Sequence, residues 1–352
     1  MATSRTTPSK TGRSAGRPKR RQNLTVAVTG PTGTFGSGLL PLLEADDRVR
    51  QVVGIARRPF DPSARGWSKM TYRRGDVREP DVLRSAFAGA DVVVHLAFLI
   101  TGTADRETIR SINVDGTLNA FRAACESGVR RFVYASSVAA YGFHSDNPDR
   151  LTEDWPVRPA ARLFYAQEKA ELERLLTAES ELHPEVELYF LRPSIVVGPN
   201  VVGGKADLPG VLRPLGQLLP SRPRRLPVPV VVAVPALTLQ LVHEADVGQA
   251  LLRCAVGDGP PGAYNIAGDG VVTAVDVARE FGAWPVPLPP GPVRAMARAV
   301  SAVPFLPPFA EWAEAASRPA IMDTSRAKKL LGWAPEYTGI EALRDTFADA
   351  ET

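Results

Sequence analysis

Three glycines in a tight spacing, Gly30-Pro31-Thr32-Gly33-Thr34-Phe35-Gly36, stand between an apolar run, Leu24–Thr29, and a helical pattern that begins at Phe35. That placement constrains the fold more than any other feature of the chain. A strand that turns this sharply into a helix opens a strand–helix–strand unit, and the missing side chains let the backbone approach a phosphate resting on the helix N-terminus. Gly30, Gly33, Thr34, Phe35 and Gly36 are therefore candidate ligands of a dinucleotide. The spacing is G-x-x-G-x-x-G, not G-x-G-x-x-G.

The rhythm continues downstream. Strand candidates are 24–29, 51–56, 70–73, 91–96, 131–136 and 186–191, with amphipathic stretches such as 35–45, 81–88, 108–127 and 163–178 between them. Apolar strands joined by helical crossovers imply a parallel sheet covered on both faces, and right-handed crossovers make it a doubly wound α/β Rossmann sheet. Past Pro199 the pattern changes. Residues 201–240 are rich in Pro, Val, Leu and Gly without a clean period. A strand–helix unit returns at 239–256, followed by a strand at 263–266. Residues 273–352 read as helices cut by prolines, among them Thr324–Leu331, stopped by Gly332 and Pro335. The expected organisation is a tail over 1–22, a dinucleotide-binding domain over 23–198 plus about 239–267, and a smaller, mostly helical C-terminal substrate lobe over about 199–238 plus 268–352.

Charge is informative only after it is divided. The formal net charge of the 352 residues is +4, but residues 1–22 carry seven bases and no acid. The remainder holds 35 bases against 38 acids, a net −3, so the folded body offers no reason to expect nucleic acid. The tail lacks an apolar run and reads as a solvated extension. The longest apolar stretch, 226–242, is broken by Pro227, Pro229 and Pro235 and is too short to span a bilayer. Two distant cysteines, Cys125 and Cys254, suit free thiols in a reducing compartment, and the expected location is the cytoplasm. Four histidines without ligand spacing give no candidate metal site.

Chemistry enters with Tyr165-Ala166-Gln167-Glu168-Lys169. Tyrosine and lysine four apart share a helix face, where an ammonium can lower the phenol's pKa from about 10 and ready it for proton exchange. Ser136-Ser137 ends the preceding strand. At the end of the second strand an acid would bind the ribose 2′-hydroxyl of NAD. This chain has Ile55-Ala56-Arg57-Arg58 there, two guanidiniums suited to a 2′-phosphate, so NADP is favoured and NAD is possible.

With these motifs in order, the chain resembles the extended branch of the short-chain dehydrogenase/reductase superfamily, the NAD-dependent epimerase/dehydratase family. The resemblance runs from Leu24 to about Tyr337. Beyond the glycine turn and Tyr165-x-x-x-Lys169, it rests on Gly75-Asp76-Val77, His95-Leu96-Ala97, Asn113–Thr117 and Ala135–Gly142. It continues through Leu191-Arg192-Pro193 with Gly198-Pro199, Val242–Asp246, Asp323–Arg326 and Leu331-Gly332-Trp333. The resemblance implies that Ser137, Tyr165 and Lys169 are catalytic, with Tyr165 as acid/base and Lys169 on the nicotinamide ribose. It implies that Asp76 and Val77 meet the adenine, that Leu96 and Ala97 line the nucleotide path, and that Pro193 flanks the nicotinamide. Asn113 is counted with the cofactor ligands or as a brace behind the site. Asp246 and Asp323 are expected to cap helices, and a homodimer is the expected assembly.

Nucleotide-sugar members tend to carry an Asn and an Arg where this chain has the apolar Ile195 and Leu239. The expected reaction is therefore hydride transfer between a nicotinamide and a carbonyl or alcohol of a small, apolar, non-nucleotide substrate. A nucleotide-sugar 4-epimerase or dehydratase with retained NAD is the alternative, which would need other groups such as Arg213, Arg222, Arg224 or Arg225 for the diphosphate. A cofactor-sensing protein without turnover is the third reading.

Overall fold

The computed structural model describes residues 23–100, 105–161, 163–201, 231–235, 237–289, 291 and 318–348. The basic tail, the four arginines from Arg213 to Arg225 and, of the apolar 226–242 stretch, residues 226–230 and 236 lie outside the described residues.

Numbered along the chain, the central strands are β1 (Leu24–Thr29), β2 (Val49–Ala56), β3 (Met70–Arg74), β4 (Val92–His95), β5 (Arg131–Ala135), β6 (Glu187–Pro193) and, after four short outlying strands, β11 (Gly262–Ile266). They form one seven-stranded sheet in the order β11-β6-β5-β4-β1-β2-β3, and every pairing in it is parallel. The helices are α1 (Thr34–Ala45), α2 (Pro80–Phe87), α3 (Arg106–Arg110), α4 (Gly116–Glu126), α5 (Phe164–Leu182), α6 (Glu244–Val256), α7 (Ala274–Glu280) and α8 (Gly339–Ala348).

Alternation along the buried strands divides the core into two layers. In β1, Val26 and Val28 join Leu39 and Leu43 of α1 and Val247 and Leu251 of α6. Ala27 faces the opposite side, with Phe87 of α2, Phe121 of α4 and Leu172 of α5. A doubly wound sheet requires this two-sided apolar pattern, and it is what makes these strands read as continuous hydrophobic runs. Helices α1 and α6 lie close because Gly38 and Gly248 meet: a Cβ on Gly38 would fall 2.2 Å from the carbonyl oxygen of Glu244, and one on Gly248 would fall 2.2 Å from that of Gly38.

Outside the sheet, β7 (Ile195–Val197) pairs in parallel with β10 (Leu241–His243), and β9 (Thr238–Leu239) pairs antiparallel with β12 (Val272–Thr273). A third ribbon joins β8 (Val231–Pro235) to β13 (Trp284–Leu288). This last strand corrects the all-helical reading of 273–352. Pro285 and Pro287 hold the residues before them extended and withhold N–H groups from a helix, which leaves a two-stranded ribbon as a compatible place for the segment. The helix expected over 108–127 is likewise interrupted by a π-helical turn at Ser111–Asp115. Among the described residues, no helix is long and apolar enough to cross a membrane.

Candidate active site

Strand order reverses between β1 and β4, so the crevice at their C-terminal ends is the topological switch point where open α/β sheets bind ligands. The glycine turn fills its floor. Gly30 holds a left-handed φ of 68°, and a Cβ there would lie 2.7 Å from the amide nitrogen of Ala97, just beyond β4. Gly36 is pressed against Pro31, where a Cβ would meet the carbonyl oxygen at 1.9 Å. Gly33, the N-cap of α1, brings no capping side chain to the first turn that contains Thr34, Phe35 and Gly36. A turn that requires glycine against the strand ends, followed by a helix N-terminus without a side-chain cap, fits a dinucleotide pyrophosphate.

At the ends of β2 and β3 the charge is positive. Arg57 and Arg58 are exposed, Arg74 donates from Nε to the carbonyl of Arg57 at 3.0 Å, and Tyr72 donates to the carbonyl of Ala56 at 3.0 Å. Asp76 is held by Arg78 through contacts of 2.7 and 3.1 Å, and this pairing keeps its carboxyl below the usual range. Val77 packs its side chain on Gly116 of α4, and its carbonyl accepts from Asn119 Nδ2 at 3.5 Å. Leu96 and Ala97 follow β4 directly, with the Leu96 amide donating to the carbonyl of Thr29 and the Ala97 amide to its hydroxyl.

The residues expected to be catalytic converge. Ser137 caps a short 3₁₀ turn, Val138–Tyr141, and is hydrogen-bonded to Tyr165 in the first turn of α5. Lys169, one turn on, is buried and donates to the carbonyl of Ala135 at 2.7 Å and to the Tyr134 hydroxyl at 3.2 Å. Burial pushes Tyr165 up to about 12, opposed by its hydrogen bond to Ser137. Burial also draws Lys169 down to about 7, against the pull of Glu168 and Glu173. Lys169 is directed at Ala135 and Tyr134, and desolvation is the largest influence on both the amine and the phenol.

One participant was not marked by the motifs. Phe98 lies with its ring centroid 3.5 Å from the Lys169 ammonium and meets Tyr165 edge-on at 5.6 Å. Asn113, fully buried, holds the loop after β4: its amide oxygen accepts from the Leu99 amide at 2.7 Å, and its Nδ2 donates to the Leu99 carbonyl at 3.0 Å and to Glu168 at 2.7 Å. It thus braces the loop behind the site. Pro193, buried, ends β6 opposite Ile266. His95 is a packing residue between Thr29 and Thr117, at 2.8 and 3.0 Å, kept neutral by burial with a pKa lowered to about 3. Asp323 accepts from the Ser325 amide in the turn that precedes the helix at 325. Asp246 departs from expectation: His243 caps α6, while the Asp246 carboxylate receives the backbone amides of Glu336 and Tyr337 and ties down the C-terminal segment.

Known proteins share this frame. Rv0501 of Mycobacterium tuberculosis, an uncharacterized protein, is 28% identical over 328 residues, covering 92% of this chain and 83% of its own. The UDP-glucose 4-epimerase of Vibrio cholerae is 23% identical over 347 residues, covering 93% and 95%. The structure of dTDP-glucose 4,6-dehydratase from Bacillus anthracis in complex with NAD matches the fold with a TM-score of 0.67 at 16% identity, over 93% of this chain and 96% of that one. The model of the NAD dependent epimerase/dehydratase family matches residues 26–267. The glycine turn, the switch-point crevice and the Ser137–Tyr165–Lys169 cluster all fall within those residues, and the chain belongs to the NAD-dependent epimerase/dehydratase family.

Proposed function

We propose that the protein is an NADP-dependent reductase or dehydrogenase that acts on a carbonyl or alcohol of an apolar, non-nucleotide substrate. The observation that carries this reading is the apolar cluster at β7, β9 and β10. Ile195 and Leu239 pack there with Leu241, Val272 and Leu343. Hydrocarbon at these positions cannot hold a diphosphate, but it suits a greasy substrate. The exposed Arg57 and Arg58 at the end of β2 support NADP over NAD.

In this reading the bound nicotinamide supplies or accepts the hydride. The chain's own residues do the rest. Tyr165, kept protonated by burial, gives its proton to the carbonyl oxygen while Ser137 stabilises the same oxygen by hydrogen bonding. Lys169 anchors the nicotinamide ribose, and Pro193 closes one side of the ring. A cofactor sensor would have no use for all three of Ser137, Tyr165 and Lys169, and Tyr165→Phe separates the two: turnover is lost in an enzyme, while a sensor's activity survives.

The second reading, a nucleotide-sugar epimerase or dehydratase with retained NAD, is favoured by the epimerase and dehydratase likenesses. The deciding experiment denatures freshly purified protein and identifies any nicotinamide released. Stoichiometric NAD means a cofactor regenerated in place and overturns the reductase reading. A protein released empty, binding NADPH more tightly than NADH and losing that preference in Arg57→Ala/Arg58→Ala, supports it.

A further inference from the structure

Behind the catalytic cluster lies a buried polar network that no step of the proposed chemistry uses. Arg192 of β6 grips Glu173 of α5 in a two-pronged pair, Nε to Oε1 at 2.9 Å and Nη2 to Oε2 at 2.5 Å. Both side chains are almost wholly buried, 7% and 6% exposed. Glu173 Oε1 also accepts from the Ser136 hydroxyl at 2.5 Å. Arg192 Nη1 donates to the Tyr141 hydroxyl at 2.7 Å and to the Glu153 carbonyl at 3.2 Å, and Tyr141 in turn donates to Asn265 of β11 at 2.8 Å. The Ser136 amide donates to the carbonyl of Leu191 at 2.7 Å, so β5 and β6 are locked together at the same level.

Each member of this network stands beside a residue of the site. Ser136 precedes Ser137, and Tyr141 ends the turn that Ser137 caps. Glu173 follows Lys169 by four positions on α5, on the same helix face. Arg192 precedes Pro193 at the end of β6. Three separate elements carry the serine, the lysine and the proline, and one buried ion pair joins all three. Burying two charges costs several kcal/mol per ion before their attraction is counted, and apolar side chains of similar volume commonly serve a fold as well or better. Packing alone therefore does not account for charges here.

We infer that Arg192 and Glu173 are positioning residues, which set the Ser137 turn, the Tyr165–Lys169 helix and the Pro193 strand end at the separations that cofactor binding and proton transfer require. The inference rests on the oxidoreductase reading of the site. Its test uses the full chain, titrated with NADPH and NADH by their fluorescence, with the melting temperature measured alongside. Arg192→Met/Glu173→Leu exchanges the ion pair for apolar groups of similar size. The variant is expected to melt at or above the wild-type temperature yet bind its preferred reduced cofactor about tenfold more weakly, the size of one charge-assisted hydrogen bond lost at a misplaced Lys169. Ser136→Ala, which cuts only the bond between Glu173 and the Ser137 strand, is expected to reproduce part of that loss. A folded double variant whose affinity stays within about twofold of wild type overturns the inference. Where the double variant does not fold, Glu173→Gln decides by the same readout, because it preserves shape and an acceptor while removing the charge. Failure of the wild-type protein to bind either nicotinamide overturns the oxidoreductase reading instead, so the two failures are distinct.

Discussion

The aromatic ring of Phe98 covers the ammonium of Lys169, with 3.5 Å between the nitrogen and the ring centroid. Tyr134 lies on another side of the same nitrogen, its centroid 4.8 Å away, and two oxygens already accept its protons. In the proposed function, a ribose hydroxyl reaches Lys169 by taking the place of the Phe98 ring. Such a cation–π contact is worth about 2 kcal/mol when desolvated, enough to slow entry severalfold or more. Phe98→Ala is expected to speed NADPH association in stopped-flow fluorescence. An unchanged association rate would place the ring off the cofactor's route.

Lys169 also makes a prediction about stability. Its pKa falls from 10.5 in the unfolded chain to about 7 in the fold, so between these values the unfolded state binds more protons. Stability contributed through this group then rises with pH across that window, by at most about 1.4 kcal/mol per pH unit, and is smallest below pH 7, where the buried amine must carry charge. Urea midpoints measured from pH 7 to pH 9 are expected to rise more in the wild type than in Lys169→Met, the comparison cancelling other titrating groups. Parallel curves for the two proteins would mean that Lys169 keeps an ordinary pKa.

Much of this architecture was legible in the sequence because it repeats. Runs such as Leu24–Thr29 and Val92–His95 are apolar on both faces and bounded by turns, a pattern that belongs to the interior of a parallel sheet. The proximity of Ser137, Tyr165 and Lys169 was legible, Tyr165 and Lys169 from their helix spacing and Ser137 from the family resemblance. Phe98 and Tyr134 were not, since an aromatic beside a lysine depends on where β4 and β5 end in space. Glu173 was not singled out: it follows Lys169 by four residues on α5, but only Arg192, arriving from another strand, gives a buried carboxylate its partner. The strand at Trp284–Leu288 was hidden because prolines break helices in a sequence without announcing which partner strand receives them.

Gly38 and Gly248 offer a prediction whose sign runs against helix propensity. Alanine in place of an exposed helical glycine stabilises by about 1 kcal/mol. Here each added methyl would lie 2.2 Å from a carbonyl oxygen of the opposing helix, so α1 and α6 must separate to admit it. Overpacking of that kind costs about 1–3 kcal/mol and exceeds the propensity gain. Gly38→Ala and Gly248→Ala are each expected to lower the urea midpoint. Because both methyls strain one interface, the first substitution has already opened the gap that the second requires, and the double variant is expected to lose less than the sum of the singles. Since α1 begins at the glycine turn, its displacement is also expected to weaken binding of NADH and NADPH alike. A rise in the urea midpoint with either single alanine would show that the helices yield without cost and would remove this contact from the account of how the turn is held.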